Sequence, residues 1–152
     1  MVIPVDIDVN LLAILGKKFS WKKPDCCPKC GERLWWHGFV PAYFACLASA
    51  VFLRRLFCPH CRSIHRLRPI SHWRRFQSSI TVVGQTIAHR QGQGRWRPDL
   101  PRARQRQWWR RLARKTRLCL GLSFAGTLYD AFMALVSRGV IPVSSVMECG
   151  DG

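Results

Sequence analysis

The residues whose types and spacing suit chemistry best are four of the eight cysteines, because they recur in two copies of one short pattern. Cys27-Pro28-Lys29-Cys30 and Cys58-Pro59-His60-Cys61 share the form C-P-x-C, followed by a turn residue, Gly31 or Arg62. Two intervening residues let both thiolates of a tight turn point at one ion. Proline sets φ, and Gly31 is free to take the positive φ that closes such a turn. Two turns of this kind supply four sulfurs to a tetrahedral Zn²⁺. Cys27, Cys30, Cys58 and Cys61 are therefore the expected ligands of one structural zinc ion. A redox dithiol at one pair is disfavoured by the match between the two pairs. Cys26 adjoins Cys27 and is an alternative ligand, but the shared C-P-x-C form favours Cys27. Because four cysteines satisfy one ion, His37, His60 and His65 read as surface or phosphate-contacting groups. Cys46 and Cys119 lie in apolar stretches and read as buried thiols.

Elements must bring these two turns together. Twenty-seven residues separate Cys30 from Cys58, longer than the usual ribbon interval, so an inserted loop is expected. The aromatic and β-branched runs Leu34–Phe39 and Val51–Phe57 are the expected strands of a β-hairpin between the turns. The run from Phe39 to Leu53 contains Pro41 and belongs to the insertion. A zinc ribbon over 24–70 follows an apolar lead, 1–23, that ends in Lys17, Lys18, Lys22 and Lys23. The lead has no basic segment before its apolar stretch and carries Asp6 and Asp8, so it does not read as a secretory signal. Paired cysteines without such a signal point to metal in a reducing compartment, and the cytoplasm is the expected location.

Charge narrows the function further. The chain of 152 residues carries 25 Lys and Arg against 8 Asp and Glu, a net charge of +17, and its 48 % apolar content is too high for a disordered tail. Nineteen basic residues and one acid, Asp99, lie between Arg33 and Tyr129, so the excess is concentrated mid-chain. A polyanionic partner is expected. A large oxidoreductase and a site built on several carboxylates are excluded, and no enzymatic activity is expected.

The segment 71–117 reads as a helix-turn-helix-like basic module. Ser78 or Ser79 can cap a helix from about Ile80 to His89, with Ile80, Val83, Ile87 and Ala88 on one buried stripe. Gln91-Gly92-Gln93-Gly94 is the expected break. A second helix is expected from near Asp99, its cap, and Pro101, in its first turn, to about Lys115. Trp109, Leu112, Ala113 and Thr116 share its buried face. Arginines crowd the rest of that helix, where like charges at i, i+4 repel and phosphates would reverse the sign. Arg and Gln are the residue types that pair bidentately with guanine and adenine edges. Arg95, Arg97, Arg102, Arg104, Gln105, Arg106, Gln107, Arg110, Arg111 and Arg114 are the candidate nucleic-acid contacts.

The order C-P-K-C-G, W-H-G, R-R-L-F-C-P-H-C, an apolar helix and an R-Q-R-Q-W-W-R-R-L helix resembles bacterial zinc-ribbon plus helix-turn-helix proteins of the insertion-sequence and transposase-associated type. The resemblance covers about residues 24–117. It implies that Cys27, Cys30, Cys58 and Cys61 hold zinc and that the Arg102–Arg114 segment is a recognition helix. The connection from Gly92 to Pro101 is longer than a tight helix-turn-helix turn, and the catalytic acid cluster of a transposase is missing.

Residues 118–152 are expected to form an apolar helix and a tail. Phe124, Ala125, Leu128, Phe132, Leu135 and Val136 make a helical stripe, with Arg138-Gly139 as its stop. A core helix is the first reading, and a homodimer or partner-docking helix over 118–138 the second. A membrane span is disfavoured because Asp130 would cost about 2.5–3.5 kcal/mol at a bilayer centre. The expected whole is a small α+β protein: a four-cysteine zinc ribbon, a basic helix-turn-helix-like module and an apolar C-terminal helix. Its expected role is zinc-dependent DNA binding as an accessory or truncated recognition part of a mobile element. RNA binding, with Trp35, Trp36, Trp108 and Trp109 stacking on bases, and partner docking are the alternatives.

Overall fold

The computed structural model of the chain describes residues 1–146 and residue 149. The last residues of the expected tail, 147, 148 and 150–152, lie outside the described residues. The chain is a small α+β protein of two compact units, Met1–Ser79 and Ile80–Gly152. The division falls at the start of the helix expected from Ile80, inside the segment 71–117, so residues 71–79 lie in the first unit.

The first unit is built on a four-stranded sheet of β1 (Val2–Val5), β2 (Trp35–Ala42), β3 (Val51–Phe57) and β4 (Ile64–Pro69), in the order β1-β4-β3-β2. The β2–β3 hairpin is the one the aromatic runs predicted, but β2 continues through Pro41, which pairs with Phe52. Proline is tolerated there because β2 is an edge strand, and Pro4 occupies the other edge in β1. The register shifts between Trp36 and Phe39, where Gly38 takes a φ of +80°. The insertion is thereby reduced to the link between Ala42 and Val51. Two strands were not anticipated. β4 pairs antiparallel with β3, and β1, from the apolar lead, pairs parallel with β4 from Val2↔Arg66 to Val5↔Pro69.

The lead also supplies a helix, α1 (Val9–Leu15), capped by Asp8, whose carboxylate accepts from the Asn10 amide at 2.8 Å. Val9 and Leu12 bury against Ala42, Phe44, Val51 and Leu53. A second cluster joins Leu34, Leu56 and Leu67 to Cys27 and Cys58, and Trp21 packs against both clusters.

The second unit contains three helices, α2 (Ile80–Gln93), α3 (Arg102–Cys119) and α4 (Leu128–Ser137), each packed on the other two. Helix α2 runs past the expected end at His89, through Gly92 to Gln93, and is stopped by Gly94, the last residue of the expected Gln91–Gly94 break, whose φ is +65°. Its buried face is Val83, Gly84, Thr86 and Ile87; Ile80 and Ala88 are only half-buried. Gly84 eases the approach of α4, because a Cβ there would lie 3.1 Å from Cε1 of Phe132 and the ring would have to shift by a few tenths of an ångström.

Helix α3 begins after Pro101 with no side-chain cap, and Asp99 is turned instead to Arg97. Its buried side is Gln105, Trp108, Leu112, Lys115 and Thr116, so Trp108 rather than Trp109 faces the core. Lys115 is buried because its Nζ donates to the Ile141 carbonyl and to Ser144 Oγ, at 3.2 and 2.7 Å, holding the returning chain.

The apolar stretch 118–136 is divided between two helices, with a turn around Gly121 (φ +86°) between them. Asp130 is not mid-helix: it forms a capping box with Thr127 at the start of α4, and those hydrogen bonds hold its carboxyl below the usual range. Arg138 and Gly139 end α4 as predicted. No helix among the described residues is long and apolar enough to cross a membrane. Two cysteines depart from the buried-thiol expectation. Cys46 is exposed, and Cys119, at the end of α3, is joined to Cys149 in a disulfide.

Gln105 ties the α2–α3 connection to α3. Its Nε2 donates to the Arg97 and Leu100 carbonyls at 2.8 Å each, and its Oε1 accepts from the Arg97 amide at 2.9 Å. Gln105→Ala orphans these groups in a buried site, which costs about 2–3 kcal/mol. We expect thermal unfolding to move down by roughly 10 °C or more, and an unchanged midpoint would refute the structural role.

Candidate metal centre

Each C-P-x-C turn is held by the same backbone pattern. The Cys27 amide donates to the Glu32 carbonyl at 2.8 Å, and the Cys58 amide donates to the Ser63 carbonyl at 3.0 Å, five residues on in both cases. The residue after the second cysteine is left-handed in both turns, Gly31 at φ +78° and Arg62 at +54°. Glycine meets that demand without strain, whereas Arg62 adopts a conformation that a β-carbon disfavours. The first turn precedes β2, and the second connects β3 to β4, so strand pairing carries the two turns to one end of the sheet.

The four sulfurs meet there. All lie within 4.8 Å of one another, with Cys27 and Cys58 buried and Cys30 and Cys61 half-buried. Cys27 Sγ is 3.7 Å from Cys61 Sγ, and Cys30 Sγ is 3.4 Å from Cys58 Sγ. These separations are too long for disulfides. They approach the edge of a tetrahedron with metal–sulfur bonds of about 2.3 Å, which is about 3.8 Å. The donor set and its spacing fit one structural metal ion, held by Cys27, Cys30, Cys58 and Cys61. Such an ion would cross-link the two turns and leave no position open for a substrate. Cys26 is exposed and lies outside the group.

Hydrogen bonds to sulfur prepare the site for thiolates. The Lys29 amide donates to Cys27 Sγ at 3.4 Å. Ser63 donates to Cys61 chiefly through its hydroxyl and draws that thiol down to about 6. The Glu32 amide lowers Cys30 in the same sense, but desolvation and the three neighbouring thiols outweigh it and push Cys30 up to about 12. One thiol gives up its proton readily and another resists, the behaviour of four sulfurs too close to ionise together without a cation.

His65 was expected at the surface, and the structure corrects this. Its side chain is fully buried on β4, with Nε2 3.3 Å from Cys27 Sγ, and burial pushes its pKa down. A neutral imidazole there can donate to the Cys27 thiolate, the kind of partner that orients a metal ligand. The signal lay in strand alternation, since His65 and Leu67 are buried while Ile64 is exposed. His37 and His60 are exposed, as expected.

The candidate nucleic-acid contacts fall into three groups. Arg95, Arg102, Arg104, Arg106, Gln107, Arg110 and Arg114 are exposed. Arg111 is half-buried and donates to the Val143 carbonyl at 3.4 Å, and half-buried Arg97 makes a two-pronged pair with Asp99 at 3.0 and 2.6 Å. Gln105 is buried in the connection it braces and is unavailable to a base edge. Neither protein-family models, nor curated proteins, nor solved structures give a match to this chain.

Metal analysis of the purified chain should give one ion per molecule, kept in Cys26→Ser and lost in Cys58→Ser. Retention in Cys58→Ser would rule out the four-thiolate site. His65→Ala should keep the stoichiometry and weaken metal affinity roughly 10- to 100-fold, as read by competition with a chromophoric chelator.

Proposed function

We propose that this is a zinc-binding, DNA-binding protein, acting as an accessory or truncated DNA-recognition part of a transposase or other mobile element. Zinc folds a ribbon in the first unit, and α2 and α3 act as a helix-turn-helix-like pair in the second. The reading assigns the chain a binding role rather than catalysis.

The observation that carries it is the solvent face of α3. Arg102, Arg104, Arg106, Arg110 and Arg114 are exposed along an 18-residue helix that contains no acid. Helix formation sets these cations beside one another, and phosphates relieve the repulsion while releasing condensed counterions. Gln107, exposed among them, has the donor and acceptor to read an adenine edge. The mobile-element assignment rests on the resemblance described for residues 24–117.

A second reading, RNA binding, has its own support in the first unit. Trp35 and Trp36 on β2 are 51 % and 38 % exposed, with Arg33 4.9 Å from the Trp35 ring and Arg54 4.7 Å from that of Trp36. Each ring, flanked by a guanidinium group, offers a stacking platform for an unpaired base, the two on opposite faces of the sheet because they are successive strand residues. Trp108 plays no part in it, being buried, and Trp109 packs edge-on against Trp96. Docking of a second copy or another protein on 118–138 is a weaker alternative, since Ala131, Phe132 and Leu135 are already buried within the unit.

Selection of the zinc-loaded protein on a random duplex pool, with structured RNA as competitor, tests the assignment. Enrichment of one duplex motif is expected. Five phosphate contacts predict that log affinity falls with log salt at a slope of about −4.5. Arg106→Ala or Arg110→Ala should relax the selected motif, whereas equal weakening on all sequences would make these phosphate contacts. A flat salt dependence would overturn nucleic-acid binding, and RNA outcompeting every duplex would transfer the function to Trp35 and Trp36.

A further inference from the structure

The first unit gathers arginines at a place the foregoing assignment does not use. Arg55 on β3, Arg66 and Arg68 on β4, and Arg74 and Arg75 in the following turn line one cavity of 380 Å³, together with His65. No acidic side chain lines it. Among the described residues, none of these five arginines has a carboxylate partner.

Three features oppose such a gathering unless an anion balances it. Arg55 and Arg66 are direct cross-strand partners, a placement that sets two cations side by side. Arg68 is buried, 7 % exposed, and its hydrogen bonds go to neutral carbonyls, so its positive charge is not cancelled. Arg55 Nε is buried with no hydrogen-bond partner.

The turn is also held in a defined shape. Arg68 donates to the Phe76 carbonyl at 2.7 Å and to the His72 carbonyl at 3.4 Å, its guanidinium lying 5.1 Å from the Phe44 ring. Between those anchors Arg75 takes a φ of +66°, which a β-carbon disfavours. A strained loop braced by a buried cation, bringing two exposed arginines over two more, is arranged for a ligand.

We propose that this cavity binds a phosphate group, either free orthophosphate or a phosphate of a nucleic acid. Arginines lining it from β3, β4 and the 73–76 turn suit a tetrahedral phosphate, which offers oxygens to several forks at once, better than a planar carboxylate that one fork satisfies. The floor of the cavity is tied to the metal centre, because β4 starts three residues after Cys61 and His65 is bonded to Cys27. The site therefore belongs to the metal-loaded protein, and it does not rest on the reading of α3.

Titration of the full, zinc-loaded chain with sodium phosphate, followed by the Nε–Hε resonances of its arginines at constant ionic strength set with sodium chloride, tests it. A saturable shift of a small set of resonances is expected. Arg75→Gly keeps the left-handed turn and Arg66→Gln keeps the side-chain length. Each should weaken binding at least tenfold, while Arg106→Ala on α3 leaves it unchanged. Displacement of phosphate by a short 5′-phosphorylated oligonucleotide would assign the group to nucleic acid, and persistence would assign it to free phosphate. Absence of saturation, or saturation lost in Arg106→Ala but kept in Arg75→Gly, would overturn the site.

Discussion

Four thiols within 4.8 Å of one another are the constraint on which the first unit depends. They cannot all ionise at that spacing without a cation, and a cation binds them tightly only when all are ionised. Closing the group joins the turn before β2 to the turn between β3 and β4. It also buries Cys27 and Cys58 in the cluster formed by Leu34, Leu56 and Leu67. The two C-P-x-C turns repeat one hydrogen-bond scheme, and His65 adds a donor behind Cys27. For a metal of this kind the binding free energy, on the order of 10 kcal/mol, is folding free energy. A unit with two small apolar clusters has few other sources of that size.

The second constraint is charge. A net charge of +17 opposes compaction everywhere in the chain, and the structure concentrates the opposition rather than diluting it. In the second unit the arginines of α3 stand outward while Gln105, Trp108 and Leu112 make the core. In the first unit a buried Arg68 braces a turn that sets further arginines over the sheet. Where a charge is satisfied internally, as Arg97 by Asp99 or Lys115 by the carbonyls and hydroxyl of the returning chain, it organises a connection.

What was legible in the sequence was what is local. Ligand spacing within each C-P-x-C turn, the two aromatic runs of the hairpin and the glycine stop of α4 depend on neighbours a few residues away. β1 and β4 were not legible, because Val2–Val5 contains a proline and β4 reads as alternating cations; both strands exist through partners distant in sequence. Pro41 looked like a strand breaker and is not one, since the edge of the sheet asks nothing of its missing donor. In α3 the helical spacing put Trp109 on the buried face, but tertiary packing chose its neighbour Trp108. The Thr127–Asp130 capping box was present in the stretch read as one continuous helix, and it marks where the second helix begins. The cysteine count did not reveal the Cys119–Cys149 link, whose partners lie 30 residues apart on either side of α4.

The most direct test of the central claim is amide hydrogen exchange across the first unit, measured with the metal bound and after its verified removal. The account predicts that the amides of Cys27, Cys58 and the paired residues of β3 and β4 are protected in the metal-loaded protein and lose that protection when the metal is withdrawn. The amides of α3, which belong to a unit with its own core, should keep theirs. Unchanged protection of β3 and β4 in the metal-free protein would contradict the account.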